Sequence, residues 1–553
     1  MNHLPATIEE VRTRGWDAPD IILVSGDAYV DHPSFGIAVI GRVLEKAGYR
    51  VAILAQPDWR NPESITVLGK PRYFFGVTAG NVDSMLAHYT AFGKVRNDDP
   101  YSPGGKAGLR PNRATIVYCN LIRAAFKGVP IIIGGIEASM RRLAHYDFWD
   151  NAVRRSIILD SRADLLVYGM GENAITEAAS SISRGQSPNQ ITGTVEISQT
   201  IPDDVIRLPA EEEVLGDKTS FLEMYRLLYQ HPGERLAQPS GGRYIIHNPP
   251  ANQTQKELDD IYSLPFTREP HPFYIERSIP AFEMIRSSIT SHRGCVSGCS
   301  FCSLALHQGR KIVSRSVESI YDEAGKIQRM KYFGGHITDI GGPSANMYGY
   351  RCRAGWRCNR ESCLHPDVCV NLVADESLWL ALLSGASKLP GIKHVTVGSG
   401  VRYDVLLRNG GQSLLNELAK NHVSGQLKIA PEHTSERVLR AMRKAPGVEL
   451  GEFADSFTRA SRVAGRKLYL IPYLMSCHPG CTIDDMRKMR DKVLHLFRFV
   501  PDQVQAFIPL PMTISSVMYW TGTDPLTGEK FFSECDASRR RKQHSIFYSK
   551  WKY

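Results

Sequence analysis

No run of apolar residues in this 553-residue chain approaches the roughly twenty that a helical membrane span requires, so no part of it reads as membrane-embedded. The opening residues, Met1-Asn2-His3-Leu4-Pro5-Ala6, lack the basic flank and apolar run of a signal peptide, and a cytoplasmic location is expected. Internal repeats and low-complexity tracts are missing too, as is any RRM or KH signature of an appended RNA-binding module. What remains is ordinary for globular domains, with 42% hydrophobic and 22% charged residues. The length exceeds what one core supports and suggests about two to four domains. A net charge of +10 permits a nucleic-acid partner without demanding one. The one dense basic run, Arg539-Arg540-Arg541-Lys542, is expected to be a solvated tail.

Cysteine is sparse but unevenly placed: seven of the eleven lie between Cys295 and Cys369. An odd count and tight clustering in a reducing compartment point to metal binding rather than disulfides. Within Arg293-Gly294-Cys295-Val296-Ser297-Gly298-Cys299-Ser300-Phe301-Cys302, the C-x3-C-x2-C spacing lets three thiols turn inward on one loop. Three thiolates hold three irons of a 4Fe–4S cube and leave the fourth iron open to a small molecule. The same residues also read as buried structural cysteines, or as a zinc site short of its fourth ligand.

Residues 1–186 alternate apolar strands with helices. Pro19–Asp27, Tyr49–Leu54, Tyr73–Val77, Pro130–Gly135 and Ala163–Gly169 carry the continuous apolar runs of buried parallel strands, several followed by glycine. That pattern implies βαβ units and an open parallel sheet of Rossmann type, whose ligands sit beyond the strand carboxyl ends. Residues 187–280 are broken by prolines and read as a connector packing on both neighbours, with one helix over Thr219–Gln230. From 281 to 510 a second alternation begins. Its expected strands are Ile285–His292, His336–Gly341, Lys393–Gly398, Gln426–Pro431, Lys467–Leu474 and Gln503–Ile508. The expected helices between them are Val317–Met330, Glu376–Lys388, Ser413–Asn421, Ser435–Lys444 and Ile483–Leu496, with N-caps at Ser316 and Thr482. Six such repeats suit an open, partial (βα)6 barrel, interrupted by a cysteine-rich insertion over 347–372. Residues 511–553 are expected to form a short cap ending in the basic tail.

The motifs RGCVSGCSFCSLALHQGRKIVSRS, DIGGPSANMYG, KIAPEH and PYLMSCHPG resemble the YgiQ-type family of radical SAM proteins, over most of the chain. The resemblance implies a radical SAM barrel in which S-adenosylmethionine chelates the open iron of the cluster held by Cys295, Cys299 and Cys302. It implies backbone contacts from Gly341 and Gly342 to the methionine amino group, although Pro343 stands where the family commonly has glutamate. Glu432 is similar to the strand-end carboxylate that accepts from the ribose hydroxyls in methylthiotransferase-like branches, and Phe301 to the aromatic that lies on adenine. Ser399 and Arg402, beyond the third barrel strand, are expected to reach the ribose or the carboxylate. An electron donor such as flavodoxin or ferredoxin is implied as partner; the family's substrate is unassigned. The first domain resembles the cobalamin-binding type, but Asp31-His32-Pro33-Ser34-Phe35-Gly36 departs from D-x-H-x-x-G, so cobalamin is not expected there.

A second set, Cys352, Cys358, Cys363 and Cys369, offers four thiols within eighteen residues, which suits zinc, a second iron–sulfur cluster, or unligated redox thiols. Arg351, Arg353, Arg357 and Arg360 surround it and favour the thiolates. Cys477 and Tyr348 fall at loops near the expected site, as candidate hydrogen-atom donor and radical relay, and Tyr403 is a second relay candidate. The expected activity is reductive cleavage of S-adenosylmethionine to start radical chemistry on an unidentified substrate. The alternatives are an RNA-modifying enzyme of methylthiotransferase-like type and a non-catalytic iron–sulfur redox sensor.

Overall fold

The computed structural model describes residues 2–356, 358–407, 411–444 and 450–548, so Arg357 and residues 549–553 of the expected tail lie outside the described residues. The chain divides into two units, residues 1–253 with 260–286, and residues 254–259 with 287–553. No helix among the described residues is long and apolar enough to cross a membrane.

The first unit is organised on one nine-stranded sheet. From edge to edge it runs Val51–Ala55, Ile21–Ser25, Phe74–Thr78, Ile131–Gly134, Leu165–Val167, Thr194–Ser198, Arg243–His247, Leu236–Ser240 and Ile206–Arg207. The first five strands are mutually parallel, in register from Ile21 opposite Val51 and Phe74. Continuous burial is the reason the apolar runs read as strands: Ile21, Ile22, Leu23 and Val24 are at most 2% exposed. Ile22 and Val24 face one core with Phe75, Val77, Ile131, Ile133, Tyr118 and Ile122, the last two from helix Ala114–Ala125. Strand order reverses between Ile21–Ser25 and Phe74–Thr78, where open α/β sheets place their ligands.

The expected connector differs. Four further strands between 194 and 247 extend the same sheet through three antiparallel pairings and a final parallel one. Pro239 lies inside one of these strands, opposite Tyr244, so a proline in this stretch need not break it into a link. The helix expected over Thr219–Gln230 is present as Lys218–Gln230, capped by the Asp217 side chain on the Ser220 N–H.

The strands of the second unit pair in parallel, apart from two short antiparallel pairs, His292–Arg293 with Val313–Ser314 and Arg351–Cys352 with Leu372–Val373. Ser288–Thr290 pairs with Asp339–Gly341, His336–Ile337 with His394–Val395, Gln426–Glu432 with Tyr469–Ser476, and the last with Val504–Ala506. A bridge from Val401 to Ile429 joins the halves. Between them lie helices Val317–Gln328, Glu376–Ala386, Gly411–Glu417, Glu436–Ala441, Leu450–Val463 and Ile483–Phe497. Ser316 and Thr482 cap as expected, each side chain accepting from an N–H three residues on, with Asp485 completing a capping box at Thr482. The core joins Ile289, Ile340, Val397, Leu427 and Ile429 of the strand segments to Ile320, Trp379, Leu383, Phe453 and Phe457 of the helices. The first strand is shorter than expected, because Pro280 starts a helix over Pro280–Ile285.

The basic run is not a solvated tail. It lies in helix Ala537–Ser545, where Arg540 is 2% exposed, donates to the Tyr519 hydroxyl at 2.9 Å and bonds the Phe507 carbonyl. Only one face of that helix is buried, so a run of four cations hides a structural arginine.

Candidate functional site

The cysteine loop follows the first parallel strand of the second unit. His292–Arg293 pairs with Val313–Ser314, which closes the segment between them back on itself. Gly298 has φ +59, and a Cβ there would collide with the Glu361 carbonyl, so the loop can pass that backbone only with glycine. The Ser300 N–H donates to the Met442 carbonyl at 3.0 Å and its hydroxyl to the Ala441 carbonyl at 2.8 Å. Ser300 also meets the Ser515 hydroxyl at 2.7 Å, and the Ser515 N–H donates to the Ser300 carbonyl. The residues from 511 on therefore brace the loop as well as capping the last strand.

Cys295 is buried, and Cys299 and Cys302 are half-buried. Burial pushes the Cys302 thiol well up, and the neighbouring Cys299 and Cys295 add to the shift. Cys299 is raised for the same first reason, with Arg402 and Lys444 opposing. Three thiols within electrostatic reach of one another, in a place that penalises their charge, suit a cationic cluster that neutralises all three. Among the described residues no three thiol, imidazole or carboxylate groups converge as a single ion requires. A cubane makes no such demand, because each thiolate binds its own iron.

Arg402 sits against this loop. It donates to Ser297 Oγ at 3.0 Å and approaches Cys299 Sγ at 3.7 Å, while its other donors pair with Asp404. Asn346 holds its backbone from both sides. The guanidinium is thus committed to the cysteine loop and to Asp404, where a role on ribose or carboxylate was expected. Glu432 ends its strand at a register irregularity, with φ +65, a conformation that costs free energy for a non-glycine residue and concentrates at functional sites. Burial raises its carboxyl, with Lys444 and Arg402 opposing, and among the described residues its carboxylate has no hydrogen-bond donor. Glu432 in turn contributes to the raised thiols of Cys299 and Cys302, which places it beside the loop.

The Gly341 carbonyl accepts from the Ser291 N–H at 2.7 Å. A Cβ on Gly342 would come within 2.5 Å of His292 Nε2, so that turn packs too closely for a side chain. Ser399 is held on Asp339, whose Oδ1 accepts from the Gly398 N–H, the Ser399 N–H and the Ser399 hydroxyl at 2.8–3.1 Å. Asp339, Asn346, Asp404 and Lys444 are members of this neighbourhood that sequence reasoning missed. Asp339 and Asn346 lie in the double-glycine motif and Asp404 two residues after Arg402, whereas Lys444 had no such neighbour.

Four candidates fall elsewhere. Phe301 packs among Val438, Met442 and Met486 and lies edge-on to His478, 6.1 Å between centroids. Cys477 is 1% exposed, its thiol directed to the Arg540 carbonyl at 3.3 Å, so it does not present a hydrogen-atom donor to the loop. Tyr348 donates to the Arg315 carbonyl at 3.0 Å inside the core, and Tyr403 packs on Phe453. The second cysteine set joins the first: Cys363 and Cys369 share an apolar cluster with Cys295 and Val296.

A family profile described as Radical SAM N-terminal matches residues 3–288, and a domain of unknown function, DUF3362, matches residues 502–548. A UPF0313 protein of Clostridium botulinum (strain Kyoto / Type A2) is 45% identical over 99% of this chain and 87% of its own length. One from Methanosarcina mazei is 46% identical, over 98% and 93%. The chain belongs to the UPF0313 family of radical SAM proteins. Among solved structures it is similar in fold to TsrM of Kitasatospora setae, a radical S-adenosylmethionine methyltransferase solved with tryptophan and a SAM analogue. That similarity has a TM-score of 0.51 at 15% identity, over 89% of this chain and 75% of TsrM. A second TsrM structure, with cobalamin and a [4Fe–4S] cluster bound, gives a TM-score of 0.50 at 15% identity, over 90% of this chain and 74% of that one.

The same fold holding cobalamin in TsrM removes support from the expectation that a UPF0313 chain goes without it. What this structure does specify is narrower and concerns one residue. His32 accepts from the Ser34 N–H on Nδ1 and meets Arg268 Nη2 at 2.8 Å on Nε2, so neither ring nitrogen is free to ligate cobalt.

Proposed function

We propose that this UPF0313 protein is an enzyme that reductively cleaves S-adenosylmethionine beside a 4Fe–4S cluster anchored by Cys295, Cys299 and Cys302. The observation that carries the reading is the gathering of those three thiols with Arg402, Lys444 and Glu432 at the ends of parallel strands. Bound together, cluster and S-adenosylmethionine supply one-electron cleavage of the sulfonium and a 5′-deoxyadenosyl radical able to take hydrogen from a substrate.

The chain's own residues hold and orient. Arg402, locked by Asp404 and Asn346, keeps the loop in place and favours thiolate at Cys299. Glu432, lacking a protein donor among the described residues, is the acceptor for the ribose hydroxyls, and the Gly341–Gly342 turn brings backbone close to the methionine end. In this reading residues 281–510 are the partial (βα)6 barrel, working in a reducing cytoplasm with flavodoxin or ferredoxin as electron source. No observation favours the RNA-modifying or sensor alternatives.

Anaerobic incubation of the reconstituted protein with dithionite and S-adenosylmethionine should yield 5′-deoxyadenosine by chromatography. The Cys299→Ala variant should yield none. A fully reconstituted wild type that makes no 5′-deoxyadenosine would sink the assignment.

A further inference from the structure

The insertion carrying Cys352, Cys358, Cys363 and Cys369 is a closed loop docked on the first site. Strand Arg351–Cys352 pairs antiparallel with Leu372–Val373, setting Cys352 opposite Leu372. The Cys369 N–H donates to the Cys363 carbonyl at 2.8 Å, and the Leu372 N–H to the Cys369 carbonyl at 3.0 Å. These contacts draw Cys352, Cys363 and Cys369 together, and the Cys358 N–H donates at 3.1 Å to the carbonyl of Trp356, which packs in one apolar cluster with Cys363 and Cys369. The loop then fastens to the first cysteine loop at two points. The Cys363 N–H donates to the Val296 carbonyl at 2.9 Å, and the Ser362 hydroxyl to the Ser297 carbonyl at 2.5 Å.

Two features select the occupant. A single zinc holds four sulfurs about 2.3 Å from one point, and no such convergence exists among the described residues, whereas a polynuclear cluster takes one thiolate per iron. Exposure also grades along the set, with Cys363 buried, Cys352 and Cys369 half-buried and Cys358 exposed, so the group would run from the first site to the surface. Around the exposed end, Arg310, Arg353 and Arg360 donate to the carbonyls of Cys358, Val370, Ser362, His365 and Asp367, which gives that rim three cations. Such a rim attracts an acidic protein and speeds its encounter.

We propose that Cys352, Cys358, Cys363 and Cys369 bind a second 4Fe–4S cluster, through which an acidic one-electron carrier protein delivers the electron consumed at the first site. The carrier is oxidised by one electron, the second cluster is reduced and re-oxidised, and the first cluster is reduced by the same electron. The delivery role rests on the function proposed above; the binding site does not.

Iron and acid-labile sulfide are counted after anaerobic reconstitution of the full chain and of a Cys295→Ala/Cys299→Ala/Cys302→Ala variant. About eight irons in the wild type and about four in the variant, with a reduced-cluster EPR signal in the latter, are expected. About four irons in the wild type and none in the variant, or zinc in place of iron, overturns the site. Should the triple variant not fold, the wild-type count decides. For delivery, 5′-deoxyadenosine formation driven by reduced flavodoxin should fall by an order of magnitude in a Cys352→Ser/Cys358→Ser variant, while dithionite-driven formation persists. Equal flavodoxin-driven rates overturn the delivery role. Failure of the proposed enzyme itself reads differently, as no 5′-deoxyadenosine from wild type with dithionite at any iron content.

Discussion

Both units present the carboxyl ends of parallel strands, yet they treat the charges there in opposite ways. In the first unit, Asp27 beyond strand Ile21–Ser25 meets Arg110 at 2.8 Å, and the same guanidinium holds Asp99 at 2.9 Å and the Ala79 carbonyl at 2.6 Å. All three side chains are at most 1% exposed. Glu137, at the end of the fourth strand, accepts from the Ser84 and Thr115 N–H groups, and Asp83 is paired with Arg141. At the corresponding edge of the second unit, Glu432 holds a left-handed backbone with no donor on its carboxylate among the described residues, and three thiols share one buried loop. Asp27 Oδ2 accepts from the Asn81 N–H, while its buried Oδ1 meets Arg110 as an ion pair without a hydrogen bond, so this edge is charge-compensated rather than fully hydrogen-bonded. The switch point of the first sheet is filled with carboxylates paired to Arg110, whereas Glu432 of the second unit has no donor among the described residues.

Removing one partner on each side tests that contrast, and the larger effect belongs to the filled side. Arg110→Leu leaves Asp27 and Asp99 buried without their cation, which typically costs about 3–5 kcal/mol. The expected outcome is a large drop in the denaturation midpoint of the apo chain, with aggregation during purification. A midpoint within experimental error of the wild type would show that water reaches the triad and that the crevice is open.

The converse substitution, Glu432→Gln, removes a charge that no protein donor pairs among the described residues. Stability should hardly change, while the KM for S-adenosylmethionine in 5′-deoxyadenosine formation rises about tenfold or more, the worth of hydrogen bonds to a charged acceptor at about 1.5–3 kcal/mol. A stability loss with KM unchanged would make Glu432 structural and erase the difference between the two edges.

How much of this was legible follows from where the information sits. The strand at Ile21–Ser25 was readable because burial on both faces leaves an unbroken apolar run, and Gln426–Glu432 because Leu427, Ile429 and Pro431 alternate with more exposed neighbours. The three cysteines were readable because their spacing is local. Lys444 was not, since the chain's return brings it in from a distant segment, while Asn346 and Asp404 sat beside named candidates, in the double-glycine motif and two residues after Arg402, without a signal of their contacts. Helix Leu450–Val463 was missed even though Leu450, Phe453, Phe457 and Ala460 keep a helical period. Arg540 misled for a different reason: charge composition says nothing about which face of a helix turns inward.

The smallest expected effect is a pH dependence inside the filled edge. Two buried carboxylates share the Arg110 guanidinium, and burial lifts Asp27 to about 6 from an ordinary value of 3.8. The folded state therefore binds a proton more tightly than the unfolded chain. Its stabilising contribution is fully present below the unfolded pKa and is lost as pH rises through about 6. Asp27→Asn has no such proton to lose. Between pH 5 and pH 8 the wild type should thus lose about 1 kcal/mol of stability relative to Asp27→Asn, read from urea midpoints at each pH. A difference that is flat across that range would mean Arg110 keeps Asp27 ionised throughout. The triad would then be two full ion pairs on one cation, and the first edge would carry more charge than burial alone allows.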